Sequence, residues 1–487
     1  MLTYDMGRRG DDTLYAYLYK CLRADIESAR LVANERLPSK RRLAEHLGVS
    51  VITVESAYRQ LLAEGYVESA ERRGYFVAEG VASKGRGTLL SRASSCESPK
   101  AEFAAGWPVV PARPALAVMP DDEAELGSAG LFPLGSWARI TREVLAEEDE
   151  RSIVLQTEPL GSPRLRAAIC RHLLRSRGLA ASPEQVVVGA GSQLLDAMLV
   201  RLLGRDLCFA VEDPGYPRLR QLYRSSGVHV MPVGMDGSGI LVDGLVAAGA
   251  DVAHVTPSHQ FPTGRVMPVG RRYELLAWAS ERSRRYVIED DYDCEFKLSG
   301  LPVPTLQSVD VSGCVIYTNT LTKSLGPAFR VAYAVLPEEL ARRWREELSF
   351  ASCTVGTIDQ LVLARVIESG AFERHVNRMR TRCRRVRDRL LLALEAELGV
   401  RPAEVRSRDA GLHFVLPLVL PDGASDLGLE RACQEAGIPL RAMSGFYARG
   451  EAPEEDRHAF VMSYSGLGES DVAPVAARLA SIVGDAG

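Results

Sequence analysis

The chain has 487 residues, 46% hydrophobic and 25% charged, with a net charge of −4. That is too long for one ordinary core and has the composition of a soluble globular protein, so two or more domains are expected. The charge gives no global pull toward nucleic acid or membrane, and nine scattered cysteines without a CxxC pair argue against a disulfide framework or a zinc site and fit a reducing cytosol. No apolar run of about 18 residues and no leader-like N-terminus is present, which points to a cytoplasmic protein.

Residues 1–80 form a first unit. Tyr15, Leu18, Leu22, Ile26 and Ala29 recur at helical spacing. A second helix starts near Ser39 and carries Leu43, Ala44 and Leu47. Gly48 ends it and Ser50 caps a third, whose inner face is Val54, Ala57, Leu61 and Leu62. Gly65 closes that helix, and "YVESAERRGYFV" reads as a hairpin around a charged turn. Lys40, Arg41 and Arg42 gather at the start of the second helix, where they could meet phosphates, and Arg72 and Arg73 mark the hairpin tip. The outer side of the third helix offers Ser50, Val51, Thr53, Glu55, Ser56 and Arg59. The hydroxyls of Ser50 and Thr53 suit either helix capping or a DNA contact. The 12 basic and 12 acidic side chains of this unit cancel.

Residues 81–109 change to small, polar, aperiodic composition, that of a flexible linker. From about 110 to 487 the buried-type strands "QVVVGA", "LCFAVED", "VAHVTP", "YVIED" and "CVIYTNT" alternate with helical stretches, as in a mostly parallel sheet flanked by helices. The Arg-rich helix "FERHVNRMRTRCRRVRDRLLLALEAEL" leads into a small α+β segment, and a small subdomain of about 110–150 plus 340–487 is expected.

Lys323 stands out because the chain has six lysines against 53 arginines. It lies between Thr320, Thr322 and Arg330 in "YTNTLTKSLGPAFRVAY", where hydroxyls, a guanidinium and an amine suit a phosphate plus an aldehyde. The strand "YVIED" ends in Glu289, Asp290 and Asp291, then Tyr292, and a carboxylate there implies a cationic partner such as a protonated pyridine nitrogen. "VVVGAGSQLLDAML" supplies a strand, a Gly-rich turn through Gly191, and a helix N-terminus at Ser192 and Gln193, an anion site built of backbone N–H groups. Tyr216 in "EDPGYPRLR" is an aromatic that could stack on a flat ring or pack in a turn.

The segment "LPSKRRLAEHLGVSVITVESAYRQLLAEGYVESAERRGYFV" resembles the winged helix-turn-helix DNA-binding domain of the GntR superfamily. The family usually has Arg directly after "VS"; Val51 stands there. "GSPRLRAAI", "VEDPGYPR", "VTPSHQFPTGRVMPV", "IEDDYDCEF" and "TKSLGPAFRVAYAVLP" resemble the motifs of a fold-type I pyridoxal-phosphate aminotransferase domain, and the whole chain resembles the MocR family of bacterial regulators. The resemblance implies a multidomain fold, a winged helix-turn-helix followed by an α/β aminotransferase-like domain. It implies a head-to-tail homodimer binding paired DNA half-sites and an amine, amino acid or B6 vitamer as effector. It implies pyridoxal 5'-phosphate in Schiff-base linkage to Lys323, Asp290 on the pyridine nitrogen, Tyr292 on the ring hydroxyl and Tyr216 on the ring face. Ser192 and Gln193, beside Gly191, would hold the phosphate with Thr320, Thr322 and Arg330. Ser39, Lys40, Arg41, Arg59, Arg72 and Arg73 are the expected DNA contacts beside the third helix.

Two departures bear on the effector. Aminotransferases carry an Asn before their PTG; Phe261 is there, with His259 or Gln260 as its replacement. They also carry a carboxylate-gripping Arg near the C-terminus, and in "VMSYSGLGESD" the aligned position is Gly466. Arg218, two residues after Tyr216, is then the candidate anion contact. The expectation is a transcriptional regulator with an effector-sensing domain, with a working aminotransferase carrying an accessory head as the alternative. A structural protein that has lost its cofactor fits less well, because Lys323, Asp290, Tyr292 and Arg330 are all present.

Overall fold

Serine caps and a glycine stop set out the second and third of the first three helices. α1 runs Leu14–Glu27, α2 Lys40–Leu47 and α3 Val51–Ala63. Ser39 accepts the Arg42 N–H at the start of α2, Gly48 ends it in the left-handed conformation at φ +64°, and Ser50 accepts the Thr53 N–H at the start of α3. Strands β1 (Val67–Ala70) and β2 (Gly74–Val77) pair antiparallel behind them. Leu18, Leu22, Leu43, Val54, Ala57, Tyr58 and Leu61 close one core. Leu62, expected inside, is 39% exposed, because the buried stripe of α3 runs Val54, Ala57, Tyr58, Leu61 and Leu62 falls one position past it.

The structure, a computed structural model, describes residues 12–28, 30–70, 74–78, 132–298, 303–409, 411–421 and 423–485, with Leu2, Tyr4 and Met6. The expected linker and the hairpin tip with Arg72 and Arg73 lie outside these residues.

The body is built on an eight-stranded mixed sheet. Its strands in chain order are β3 (Val186–Gly189), β4 (Cys208–Asp213), β5 (His229–Asp236), β6 (Gly239–Ile240), β7 (Val252–Val255), β8 (Tyr286–Asp290), β9 (Val315–Thr320) and β10 (Ala332–Val335). They lie in the order β3-β10-β9-β8-β7-β4-β5-β6. β5, β4, β7, β8 and β9 are mutually parallel, while β10 runs antiparallel to both β3 and β9. The C-terminal ends of β3, β4, β7, β8 and β9 therefore share one edge, where side chains from distant segments converge. Helices cover both faces, and the buried runs rich in Val and Ala in β3, β7 and β10 are those of a sheet with no solvent face.

A second antiparallel sheet, β11 (His413–Pro417), β13 (Ala459–Ser463) and β12 (Leu440–Ala442) in that order, forms a small unit with helices Asp426–Glu435 and Val472–Asp485. The Ala371–Leu398 helix joins the two cores: Phe372 and Val376 pack with the large sheet, Met379 through Leu394 with the small one. Helices Leu134–Glu147, Glu338–Glu347 and Thr357–Glu368 pack on the large sheet's cores.

Candidate functional site

The convergent edge of the large sheet holds two neighbouring cavities, with Phe261 in the wall of both. Ser192, Gln193, Tyr216, Arg218, His254 and Asp290 line the first. Tyr292, Lys323, His413, Arg441, Val461 and Ser463 line the second. Phe261 meets Tyr216, Tyr292, His413 and Phe446 edge-on at centroid distances of 6.0, 6.2, 5.1 and 5.3 Å.

The acidic run at the end of β8 divides by surroundings. Asp291 is buried, 2.8 Å from the Arg177 guanidinium, and accepts the Tyr317 hydroxyl at 2.9 Å, so it is a structural ion pair. Asp290 faces the first cavity. Behind it, His254 Nε2 lies 3.7 Å from the Asp290 carboxylate, and His254 Nδ1 is 2.6 Å from the Tyr223 hydroxyl. Burial alone would depress His254; Asp290, with Asp196 and Glu212, reverses this and raises its pKa. Burial pushes the Asp196 carboxyl up to about 7 and the Glu212 carboxyl up to about 7. Glu212 accepts the Thr256 hydroxyl at 2.6 Å and the Gln260 amide at 3.2 Å, which hold the loop carrying Phe261.

A Gly-rich turn makes another corner of the site. Gly191 at φ +88° is the N-cap of the Ser192–Leu203 helix and has no side chain to satisfy its N–H groups. A Cβ built there would come within 2.6 Å of the Arg330 guanidinium, so glycine is what lets Arg330 reach this helix end. Thr320 and Thr322 lie hydroxyl to hydroxyl at 2.9 Å, at the end of β9 and the start of the short Thr322–Leu325 helix that carries Lys323.

Neither His259 nor Gln260 lines either of these two cavities: His259 Nδ1 sits 3.1 Å from each oxygen of Asp293, and Gln260 is spent on Glu212, Pro214 and Thr263. Phe261 itself occupies the wall. Gly466 lies on the turn after β13, while Val461, Ser463 and Ser465 from that segment line the Lys323 cavity. Arg441 on β12 pairs in register with Val461, and its guanidinium stacks 5.0 Å from the Phe446 ring and 3.6 Å from Glu430. Sequence reading passed over Arg441 because it sits in a three-residue strand and reaches the cavity only through the small sheet.

On the head, Lys40 pairs with Glu55 at 3.0 Å and Arg59 with Glu55 at 3.6 Å, so one carboxylate is shared between two expected phosphate contacts. Arg41 and Ser39 are exposed, and Ser56 is half-buried. The Ser50 hydroxyl is used for capping and lies 2.8 Å from the Thr53 hydroxyl. Val51 is 41% and Ile52 74% exposed, an apolar tip on α3. Ile52 went unremarked in the sequence because an isoleucine in a helix reads as core. Among the described residues no cluster suits a metal ion, and no helix is long and apolar enough to cross a membrane.

Residues 14–77 match the model of the bacterial regulatory proteins, gntR family, and residues 126–457 that of aminotransferase class I and II. The chain is 34% identical to the uncharacterized HTH-type transcriptional regulator YhdI of Bacillus subtilis, over 97% of this chain and 96% of that one. It is 32% identical to the probable rhizopine catabolism regulatory protein MocR of Rhizobium meliloti, over 90% of this chain and 88% of that one. Among solved structures, LysN of Thermus thermophilus, an α-aminoadipate aminotransferase complexed with N-(5'-phosphopyridoxyl)-L-leucine, superposes with a TM-score of 0.61 at 26% identity, covering 74% of this chain and 90% of that one.

Proposed function

Because the chain belongs to the MocR-type family of HTH transcriptional regulators, a gntR-family head joined to an aminotransferase class I and II domain, we propose that its body uses pyridoxal 5'-phosphate to sense an amine, amino acid or B6 vitamer. The observation that carries this reading is the meeting of Lys323, Asp290 and the Gly191–Arg330 corner at one sheet edge. The donor set fits the group. An open helix N-terminus beside a guanidinium suits a phosphate, and a carboxylate backed by a histidine suits a protonated ring nitrogen. Bound pyridoxal phosphate supplies an electrophilic carbon for amines and a visible absorbance.

The chain's own residues do the rest. Lys323 would hold the group at its aldehyde carbon, the atom for which an effector amine would compete. Asp290, oriented by His254, keeps the ring nitrogen protonated; Tyr292 serves the ring hydroxyl and Tyr216 the ring face. Ser192, Gln193, Thr320, Thr322 and Arg330 hold the phosphate. Arg441, lining the same cavity as Lys323, grips an anionic group on the effector, with Arg218 as a second cation in the neighbouring cavity. A guanidinium on β12 supplies the function that Gly466 cannot.

The head binds DNA, as its family does. We assign Ser39, Lys40, Arg41 and Arg59 to phosphates, with Arg72 and Arg73 from the hairpin tip. The exposed Val51 and Ile52 suit thymine methyl groups in the major groove, with Ser50, Thr53 and Ser56 beside them. Two heads in a head-to-tail homodimer would read paired half-sites in the cytoplasm.

The test is absorbance. The purified protein loaded with pyridoxal phosphate shows a visible band that Lys323→Ala abolishes or shifts; a colourless loaded wild type contradicts the reading. The presence of Arg441 beside Lys323 favours a second reading, a working aminotransferase. Repeated turnover between an amino donor and a keto acid would establish it, whereas a sensor gives one stoichiometric exchange.

A further inference from the structure

The C-terminal end of α3 rests on the body. Glu64, the residue that ends α3, accepts through its backbone carbonyl the N–H of Val269 at 2.9 Å. Val269 is the first residue of the Val269–Ser280 helix. An orphan carbonyl at one helix end thus meets an orphan N–H at the start of another, and the two helix dipoles meet with opposite signs. Gly65, at φ +75°, lies so close that an added Cβ would stand 2.6 Å from the Pro268 Cβ. Val269 is buried within the head's own core, and Tyr273 packs against that core.

The Glu64 side chain is turned into the head. It is buried, accepts the Tyr19 hydroxyl at 2.6 Å and the Gln60 amide, and feels the charge of Lys297 on the body. Burial lowers the Lys297 pKa to about 8, and Glu64 opposes that shift. The 53 residues from 79 to 131 can span up to about 175 Å, so they do not dictate where the head sits; the contact does.

Both body-side contact points continue the segments that wall the cavities. Phe261 leads within eight residues to Val269, and Arg272 ties this stretch together by donating to the carbonyls of Pro257 and Met267 at 2.8 and 2.9 Å. Asp290 and Tyr292 lead to Lys297, and the flanking Phe296 and Leu298 are built into the core of the small sheet, whose Arg441 lines the Lys323 cavity. Both segments pack on the small unit, Phe261 on His413 and Phe446 and Lys297 through Phe296 and Leu298, so movement of that unit about the second cavity reaches the head's contact points from both sides.

We propose that the seat formed by Pro268, Val269 and Lys297 is the output of the effector site, holding α3 by its Glu64–Gly65 end and re-aiming it when the small sheet moves. This rests on the cofactor-dependent sensing proposed above. It differs from simple masking of DNA contacts, because Val51 and Ile52 at the other end of α3 stay exposed while the head is seated.

The experiment is amide hydrogen exchange on the full chain loaded with pyridoxal phosphate, with aminooxyacetate as the probe. It is an amine-type reagent with a carboxylate, and absorbance follows its reaction. Exchange in 60–67 and in 267–273 changes by at least about fivefold on addition, the lower end of ordinary coupling between sites. Lys297→Met and Glu64→Gln keep the absorbance change and lose the response in 60–67. Glu64→Gln retains the partners Tyr19 and Gln60, and Lys297→Met leaves the head's interior untouched. An absorbance change with no exchange response in the wild type, or a full response in both variants, overturns the coupling alone. No absorbance change in the loaded wild type overturns the sensing reading and the coupling with it.

Discussion

Two helix beginnings in this molecule solve the same problem in opposite ways. At the start of α3, Ser50 accepts the Thr53 N–H at 3.1 Å, so this helix of the head is finished by its own side chain. At the start of the Ser192–Leu203 helix the capping position is Gly191, which offers nothing, and the Arg330 guanidinium lies where a side chain would have been. A capped N-terminus stabilises its own helix by about 1 kcal/mol, while an open one beside a cation is an anion receptor. In the proposed function the head therefore presents a finished helix whose outer residues do the reading, and the body leaves a helix end unfinished for a ligand.

The largest effect expected from this contrast is at the open end. Arg330→Ala lowers affinity for pyridoxal phosphate by about a hundredfold in an absorbance titration, the scale of a lost bond to a charged group, and leaves the head's melting unchanged. Gly191→Ala produces a comparable loss, since its methyl must displace Arg330 at a left-handed backbone position. A normal affinity in both variants would break the comparison.

Next comes a pH effect of the closed interior around that site. Burial raises the Glu212 pKa to about 7 from an ordinary 4.5. The folded protein then keeps a proton that the unfolded chain gives up between these values. That stabilisation is fully present below pH 4.5 and is lost as pH rises through 7. Denaturant unfolding at pH 5 and pH 8 shows Glu212→Gln removing about 2 kcal/mol of the difference.

Smaller still is the effector side. Arg441→Ala raises the concentration of an anionic amine needed to change the absorbance by about tenfold, with no change for an uncharged amine of the same length. Equal losses for both amines would assign Arg441 to packing on Phe446 instead. The smallest effect is at the capped end: Ser50→Ala costs the head about 1 kcal/mol by thermal unfolding and leaves the cofactor absorbance intact.

What the sequence disclosed follows the range of the interactions. The helices of the head, the parallel strands of the body and the glycine, aspartate and lysine at strand ends are written in local pattern, and each lies where that pattern expected it. The roles of Asp290 and Asp291 were not separable in that way, because β8 is covered on both faces and shows no alternation. Only the Arg177 pair reveals Asp291 as structural. Arg441 was invisible for a related reason: it comes to Lys323 by pairing of β12 with β13, a non-local event that a three-residue strand does not advertise. Leu62 shows the converse error, an apolar residue of α3 that local hydrophobicity assigns inside and geometry turns outward.

The central claim is that DNA binding by the head answers to chemistry at Lys323. The direct test is fluorescence anisotropy of labelled DNA from upstream of the protein's own locus, with competitor DNA present, titrated with cofactor-loaded wild type and Lys323→Ala, each with and without aminooxyacetate. The reagent is expected to change the wild-type affinity by at least about fivefold and to leave that of Lys323→Ala unchanged. An equal response in both proteins, or no binding that survives competitor, would contradict it.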